Sequence, residues 1–158
     1  MTPEELNDEG TFHFMNLTKG GFATFVSNAS DWDPNDSYFK GGRILAQKGL
    51  DITRVIIVMD KGDLDRKVLR KQIKLDFASG IKIYLIDYTD FKEIGCEEDF
   101  GIWDNEYICI QHRDKKGDVT DGLIDARVKS LLTAQNWRDR ILRLSKKIGK
   151  ISDLEKFN

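Results

Sequence analysis

The sequence predicts an α/β domain built on a mixed β-sheet with flanking helices. Residues 54–86 run from an apolar strand through an amphipathic helix to a second apolar strand, which is the order of a β-α-β unit with parallel strands. Residues 100–110 hold two short apolar segments around a polar tripeptide, which is typical of an antiparallel hairpin. Parallel and antiparallel pairing in one chain indicate a mixed sheet, and a long amphipathic helix is expected after it.

The first predicted strand and helix lie before this unit. Residues 22–27 follow two glycines and have the β-branched and aromatic composition of a strand. Asp33 is placed to cap a helix that Pro34 begins. We expect this helix to run to about Gln47 and to end at Gly49.

The central β-α-β unit carries the strongest pattern. Residues 54–59 form a continuous, largely β-branched run, which suits a strand covered on both faces and paired in parallel. Asp63 is expected to cap the following helix, and Gly80 to end it. Residues 81–86 are the next predicted strand.

The C-terminal part is predicted to hold a hairpin and a helix. Residues 100–103 and 107–110 are short strands joined by a turn at residues 104–106. A long amphipathic, basic helix is expected over residues 125–150. Its apolar positions recur mostly every three or four residues: Val128, Leu131, Trp137, Ile141, Leu144, Ile148 and Ile151. The seam is short for an intermolecular coiled coil, so packing on the chain's own sheet is favoured.

Length and composition predict an ordinary soluble domain. The chain has 158 residues, of which 40% are apolar, so it can bury a core without a metal or disulfides. We expect residues 1–19 to be a frayed acidic lead-in and residues 20–158 to form one domain. The longest apolar run spans only residues 55–59, too short to cross a bilayer. Cys96 and Cys109 have no metal or redox motif around them, and we expect a reducing cytoplasm.

Charge is divided unevenly along the chain. Residues 126–158 carry a net charge of +6, whereas residues 1–125 carry -8. A basic segment on an acidic body can contact a second copy of the chain, nucleic acid or only solvent. Nucleic acid would be contacted by five residues: Arg138, Arg140, Arg143, Lys146 and Lys147. A sequence pI of about 5.7 argues against a general nucleic-acid binder.

Strand-end aspartates offer one alternative chemistry. Asp60 and Asp87 each follow a predicted strand, and ligands of α/β sheets bind beyond the carboxyl ends of parallel strands. With Asp31 or Asp33 they could hold Mg²⁺ for phosphoryl transfer or nuclease chemistry. An aspartate at a strand end more often starts a turn, and turn formation is enough to explain Asp60 to Asp63.

Motifs for nucleophilic catalysis are missing. His13 and His112 are isolated in the sequence, and no Gly-x-Ser-x-Gly is present. The Gly20-Gly21 and Gly41-Gly42 pairs lack the spacing of a phosphate loop. We expect no cofactor.

One stretch resembles a known family. The order of elements, ending in Asp-Phe-Gly-Ile-Trp-Asp-Asn-Glu-Tyr at residues 99–107, resembles one half of the phospholipase D-like fold over residues 20–145. The family's catalytic motif is His-x-Lys-x4-Asp. With its aspartate aligned on Asp104, Glu97 takes the place of the histidine and Asp99 that of the lysine. The motif is therefore degenerate in this alignment.

The resemblance implies a fold without the family's chemistry. In the family the histidine attacks phosphorus and the lysine neutralises developing charge, which Glu97 and Asp99 cannot do. The implied function is a non-catalytic regulatory or ligand-sensing domain, and the family's single-motif members imply a homodimer. The expected ligand cleft comprises Trp32, Arg54, Glu97, Asp99 and Asp104. Its carboxylates would suit a cationic or polyhydroxyl ligand.

Overall fold

The computed structural model describes residues 1–96 and 98–157. The strands are β1 (Gly20–Val26), β2 (Asp51–Val58), β3 (Lys82–Asp87), β4 (Asp99–Trp103), β5 (Tyr107–Arg113), β6 (Val119–Asp125) and β7 (Lys146–Lys147). The α-helices are α1 (Pro3–Met15), α2 (Ser37–Gln47), α3 (Lys67–Ala78), α4 (Tyr88–Glu93) and α5 (Val128–Leu144), with short 3₁₀ helices at Lys61–Asp65 and Ile151–Lys156. Within these residues the strands form one sheet in the order β6-β5-β4-β1-β2-β3-β7.

The parallel half of the sheet confirms the predicted α/β class and β-α-β unit. β1 pairs in parallel with β2, and β2 with β3, with α3 crossing between the latter two. Ile56 and Ile57, which face opposite sides of the sheet, are both 0% exposed, as expected for a β-branched strand covered on both faces. The three strands end at one side of the sheet, at Val26, Val58 and Asp87, and we call this side the carboxyl edge.

The antiparallel half adds the predicted hairpin and one further strand. β4 pairs with β1 and β5, and the turn between β4 and β5 holds Asp104 and Asn105 at φ of 55° and 56°. Aspartate and asparagine tolerate this left-handed region better than most residues. β6, which follows the turn at Asp114, was not predicted and pairs antiparallel with β5.

Helices cover both faces of the sheet. α1, α2 and α3 contribute Phe14, Phe39 and Leu69 to the core on one face. α4 and α5 contribute Phe91 and Ile141 to the core on the other. None of the helices in the described part of the chain is long and apolar enough to cross a membrane.

Helix α1 corrects the expectation of a frayed lead-in over residues 1–19. The Thr2 hydroxyl accepts the Glu5 N–H, and the Glu5 carboxylate accepts the Thr2 N–H, which is a capping box. Leu6 and Phe14 are buried, and the helix packs on α2 and β6. The segment is therefore part of the domain, because its apolar face supplies core that the acidic composition obscured.

Two helices begin later than predicted. α2 is capped by Asp36, whose carboxylate accepts the Tyr38 N–H at 2.8 Å, and Asp33 instead closes a turn in the preceding loop. Asp63 does not cap α3, because it lies in the 3₁₀ helix and accepts the Ser27 hydroxyl at 2.6 Å. The Asp63 carboxylate, which the local sequence predicted as the cap of α3, is therefore bonded to Ser27, a residue distant in sequence.

The C-terminal helix is shorter than the predicted range of residues 125–150. α5 ends at Leu144, and β7 then pairs antiparallel with β3. The next residue, Ile148, donates its N–H to Ile83 and is 3% exposed. The chain leaves the helix here because pairing with the free edge of β3 gives hydrogen bonds to backbone groups that would otherwise have none.

Candidate functional site

The sheet opens beside Thr24, close to the carboxyl edge. The antiparallel ladder between β1 and β4 ends at the pair Ala23 and Gly101. Beyond it, the Thr24 hydroxyl accepts the Phe100 N–H at 3.0 Å and donates to Asp99 Oδ1 at 3.2 Å. A side chain therefore replaces the next backbone bond and holds the Asp99 carboxylate at this edge.

Asp99 is buried against Arg113. Their side chains are 1% and 7% exposed, and Arg113 Nε donates to Asp99 Oδ2 at 2.7 Å. Arg113 Nη1 donates to Asp31 at 3.0 Å and to the Gly117 carbonyl at 2.7 Å, and Nη2 donates to Gln111 at 3.2 Å. All three guanidinium nitrogens are therefore engaged.

Burial and charge act against each other in this pair. Burial raises the pKa of the Asp99 carboxyl above its usual range, while Arg113 and Thr24 oppose that rise. Burial alone would lower the pKa of Arg113, but Asp99 and Asp31 outweigh it and raise the pKa. The result is a carboxylate fixed on a permanently charged guanidinium.

Asp104 lies at the other end of β4. Its carboxylate accepts the backbone N–H groups of Thr18, Lys19 and Gly20 at 2.7–3.2 Å. Burial opposes ionisation, but these donors outweigh it and hold the pKa of Asp104 below its usual value. At about 3.3 Å per residue, the length of β4 separates Asp104 from Asp99 by roughly 15 Å.

Arg54 and Trp32 are buried in the core beneath α2. Arg54 is 3% exposed, and its Nε lies 3.3 Å from the Asp76 carboxylate. Its guanidinium sits between the Phe25 and Phe39 rings, at 5.2 and 4.8 Å from their centroids. Trp32 stacks on Phe39, and its Nε1 donates to a backbone carbonyl at the end of β1.

The predicted ligand cleft is therefore divided among separate places. Trp32 packs against Phe25 and Phe39, and Arg54 lies over the Phe39 ring. Arg113, which binds Asp99, also binds Asp31, the residue before Trp32. Asp104 is not part of this group, because a whole strand separates it. Glu97 lies outside the described residues.

The strand-end aspartates act as caps. Asp60 accepts the Gly62 N–H at 2.7 Å, and Asp87 accepts the Thr89 N–H at 2.8 Å. Asp31 contacts Arg113 instead of either of them. Among the residues that the structure describes, no group of three or more His, Cys, Asp or Glu side chains is placed to hold a metal ion.

His112 has partners that its isolated place in the sequence did not reveal. Its Nε2 lies 2.6 Å from Glu98, and its Nδ1 contacts Asp121. His112 lies with Ile110 and Trp137 around a hollow on the α5 face. Both ring nitrogens are therefore held by carboxylates.

The five basic residues proposed for nucleic acid do not form one helical face. Arg140 donates to the carbonyls of Ile94 and Glu93, and Arg138 donates to Asn105. Arg143 lies in the last turn of α5, whereas Lys146 and Lys147 form β7. Two of the five are thus committed to internal contacts in the described part of the chain.

A cavity of about 100 Å³ lies between α1, α2 and the sheet, and sequence reasoning missed it. Three small residues face it where α1, β1 and β4 meet: Gly10, Ala23 and Gly101. Its other walls include the side chains of Tyr38 and Trp103. The cavity exists because small residues and the open β1–β4 ladder coincide, and only the tertiary structure brings them together.

No protein-family model matches the chain, and no curated protein matches it at a significant level. Solved structures do resemble it. Nuc, a phospholipase D family member from Salmonella typhimurium, matches with a TM-score of 0.64 at 12% identity, covering 90% of this chain and 90% of Nuc. The chain has the phospholipase D-like fold.

Two further structures agree. NucT from Helicobacter pylori matches the chain with a TM-score of 0.64 at 11% identity, over 92% of this chain and 94% of NucT. TrmBL2, an archaeal chromatin protein, matches with a TM-score of 0.60 at 10% identity, over 93% of this chain and 52% of its own length. At such identities the likeness concerns the fold.

Proposed function

We propose that this phospholipase D-like chain is a non-catalytic, ligand-sensing regulatory domain that works as a homodimer. The observation that carries the proposal is the Asp99–Arg113 pair, since Asp99 takes the place of the motif's lysine in the resemblance. Covalent phosphoryl transfer needs a nucleophile with a free lone pair and a cation to neutralise the oxygens. Here the cation, Arg113, is bound to Asp99, and the Asp99 carboxylate would repel a phosphate.

The histidines support the same proposal. Both ring nitrogens of His112 contact carboxylates, so a phosphate that approached either nitrogen would meet a negatively charged group. His13 lies on α1, where its Nε2 is 3.5 Å from Glu9 and its ring stacks near Trp103. Neither histidine contacts Asp99.

A role other than phospholipase activity has a parallel among the similar structures. TrmBL2 is described as a chromatin protein with a novel mode of DNA binding, so this fold also occurs in a protein named for something other than phospholipase activity. For the present chain we assign the regulatory signal to a small ligand, because Arg138 and Arg140 are occupied by internal contacts.

The homodimer rests on charge. Residues 126–158 carry +6 and residues 1–125 carry -8, so two copies can place the basic part of one on the acidic part of the other. Sedimentation at tens of micromolar should give the dimer mass at low salt and a weaker dimer at high salt. A strict monomer at low salt would remove this part of the proposal.

Hydrolysis of bis(p-nitrophenyl) phosphate tests the absence of catalysis. The purified chain should release nitrophenol no faster than buffer, with or without Mg²⁺. Asp99→Asn is the variant to compare, because it changes the residue at the lysine position while keeping its size. Release that the wild type catalyses and Asp99→Asn abolishes would overturn the proposal.

A further inference from the structure

The cavity beneath α1 is large enough for a small molecule. Its volume is about 100 Å³, and a single water needs about 10–15 Å³ on this measure. A buried cavity of about 150 Å³ holds one benzene ring, so a single ring fills this one and the other atoms of a ligand lie at its mouth, beside the exposed Asn7 and Asp31. Its walls combine rings with polar groups, since Phe25, Phe39 and Tyr38 line it together with Thr24 and Gln111.

The cavity wall includes a buried donor that has no partner. Trp103 is 2% exposed, and its Nε1–H has no hydrogen-bond partner among the described residues. The neighbouring Tyr38 stays protonated, because burial raises its pKa despite the opposing effects of Arg54 and the Trp103 indole. The indole is a donor only, so it can donate to the Tyr38 oxygen but cannot accept the hydrogen of the Tyr38 hydroxyl. One acceptor must come from a ligand or from water.

The surrounding charges select against ions. None of the described residues that line the cavity is a lysine or an arginine, whereas Asp31 and Asp36 both line it. An anion would be repelled by these carboxylates in a medium of low dielectric. A cation would find Asp31 already paired with Arg113 and Asp36 already accepting the Tyr38 N–H, and it would leave the indole donor unmatched.

We propose that this cavity binds an uncharged ring compound whose oxygen or nitrogen accepts the hydrogen of Trp103 Nε1 or of the Tyr38 hydroxyl. The ring lies among the aromatic walls, and the acceptor reaches the two donors. The proposal rests on the proposed function in that it assigns the ligand class of the sensing domain. The aromatic walls limit the ligand to a small, flat molecule, and the two donors fix its orientation.

Three probes of equal size separate the possible charge classes. Benzamide is uncharged and carries an acceptor oxygen, benzoate is its anionic counterpart, and benzamidinium is the cationic one. Binding is followed on the indole N–H signals of ¹⁵N-labelled protein. Trp32 provides an internal control, because its Nε1 already donates to Val26 at 3.0 Å and it does not line the cavity.

Benzamide should shift the Trp103 indole signal saturably at millimolar concentration, as expected for so small a ligand, and should leave the Trp32 signal in place. Benzoate and benzamidinium should bind at least about tenfold more weakly. The proposal is wrong if benzamide produces no saturable shift up to about 10 mM. It is equally wrong if either ion binds as tightly as benzamide.

Variants separate the cavity from the rest of the core. A Cβ at residue 10 would lie 3.7 Å from the Trp103 ring, so Gly10→Ala places a methyl in the cavity without a clash. It should weaken benzamide binding by about threefold or more while the protein stays folded. Trp103→Phe should also weaken binding, whereas the matched variant Trp32→Phe should not. Unchanged affinity in Gly10→Ala would overturn the assignment even if Trp103→Phe does not fold.

The outcomes for this cavity and for the proposed function can be told apart. Hydrolysis of a phosphodiester together with benzamide binding would remove the non-catalytic role and leave the cavity as a binding site. Absence of both hydrolysis and binding would remove the cavity assignment alone.

Discussion

Arg113 Nε donates to Asp99 Oδ2 at 2.7 Å, joining the end of β5 to the beginning of β4. The contact is buried, and Thr24 on β1 donates a second hydrogen bond to the same carboxylate. Three strands therefore meet at one charged group. The contact holds the carboxyl edge together, and the proposed absence of phosphoryl transfer rests on it.

Removing Arg113 should destabilise the protein strongly. Arg113→Gln leaves the Asp99 carboxylate buried without its cation, which typically costs about 3–5 kcal/mol in the free energy of unfolding. Urea unfolding measures the loss. The double variant Asp99→Asn/Arg113→Gln should recover part of it, because no uncompensated charge remains. The matched control Arg127→Gln, at a side chain that is 81% exposed, should change little, and an equal loss there would contradict this view.

Asp104→Asn should weaken the protein at neutral pH by about 2 kcal/mol, because three backbone donors lose a charged acceptor. The pKa of Asp104 is lowered in the folded protein. Its contribution is therefore fully present above the ordinary pKa of 3.8 and is lost as the pH falls through the folded value. Urea midpoints of wild type and variant should converge in acid. A gap that stays constant down to pH 2 would contradict the assignment, and Asp33→Asn in an exposed loop serves as the control.

Two glycines beside Trp103 should respond in opposite directions to alanine. Gly10→Ala should raise the free energy of unfolding by about 0.5–1 kcal/mol, because it improves helix propensity and its Cβ meets only ordinary contacts. Gly101→Ala should lower it, since the added Cβ would lie 3.1 Å from Trp103 Nε1 and 3.3 Å from the Phe22 carbonyl. Thermal melting compares the two. Equal effects would mean that the cavity walls are placed differently.

Much of the fold could be predicted because its signals are local. The β-branched run in β2 and the Asp104-Asn105 turn each carry their pattern within a few residues. α1 and β6 were missed because their patterns are diluted: α1 has polar residues between Leu6 and Phe14, and β6 contains Gly122 and two aspartates. Each of these elements is stabilised by packing on the other.

The site was harder to predict because its partners are distant in sequence. Asp99 and Asp104 are close in the chain, yet the extended strand places them at opposite ends of the sheet. Arg54 was expected to meet a ligand, but Asp76 on α3 lies 3.3 Å from it inside the core. No pattern in the sequence around either residue predicts that Arg54 pairs with Asp76.

The most direct test of a non-catalytic carboxyl edge is the rate of bis(p-nitrophenyl) phosphate hydrolysis as a function of protein concentration. A domain whose Asp99 is fixed on Arg113 should give a rate that does not rise with protein between about 1 and 100 µM, a range in which even a slow catalyst is detectable. A rate that rises in proportion to protein, and that Asp99→Asn removes, would contradict the account.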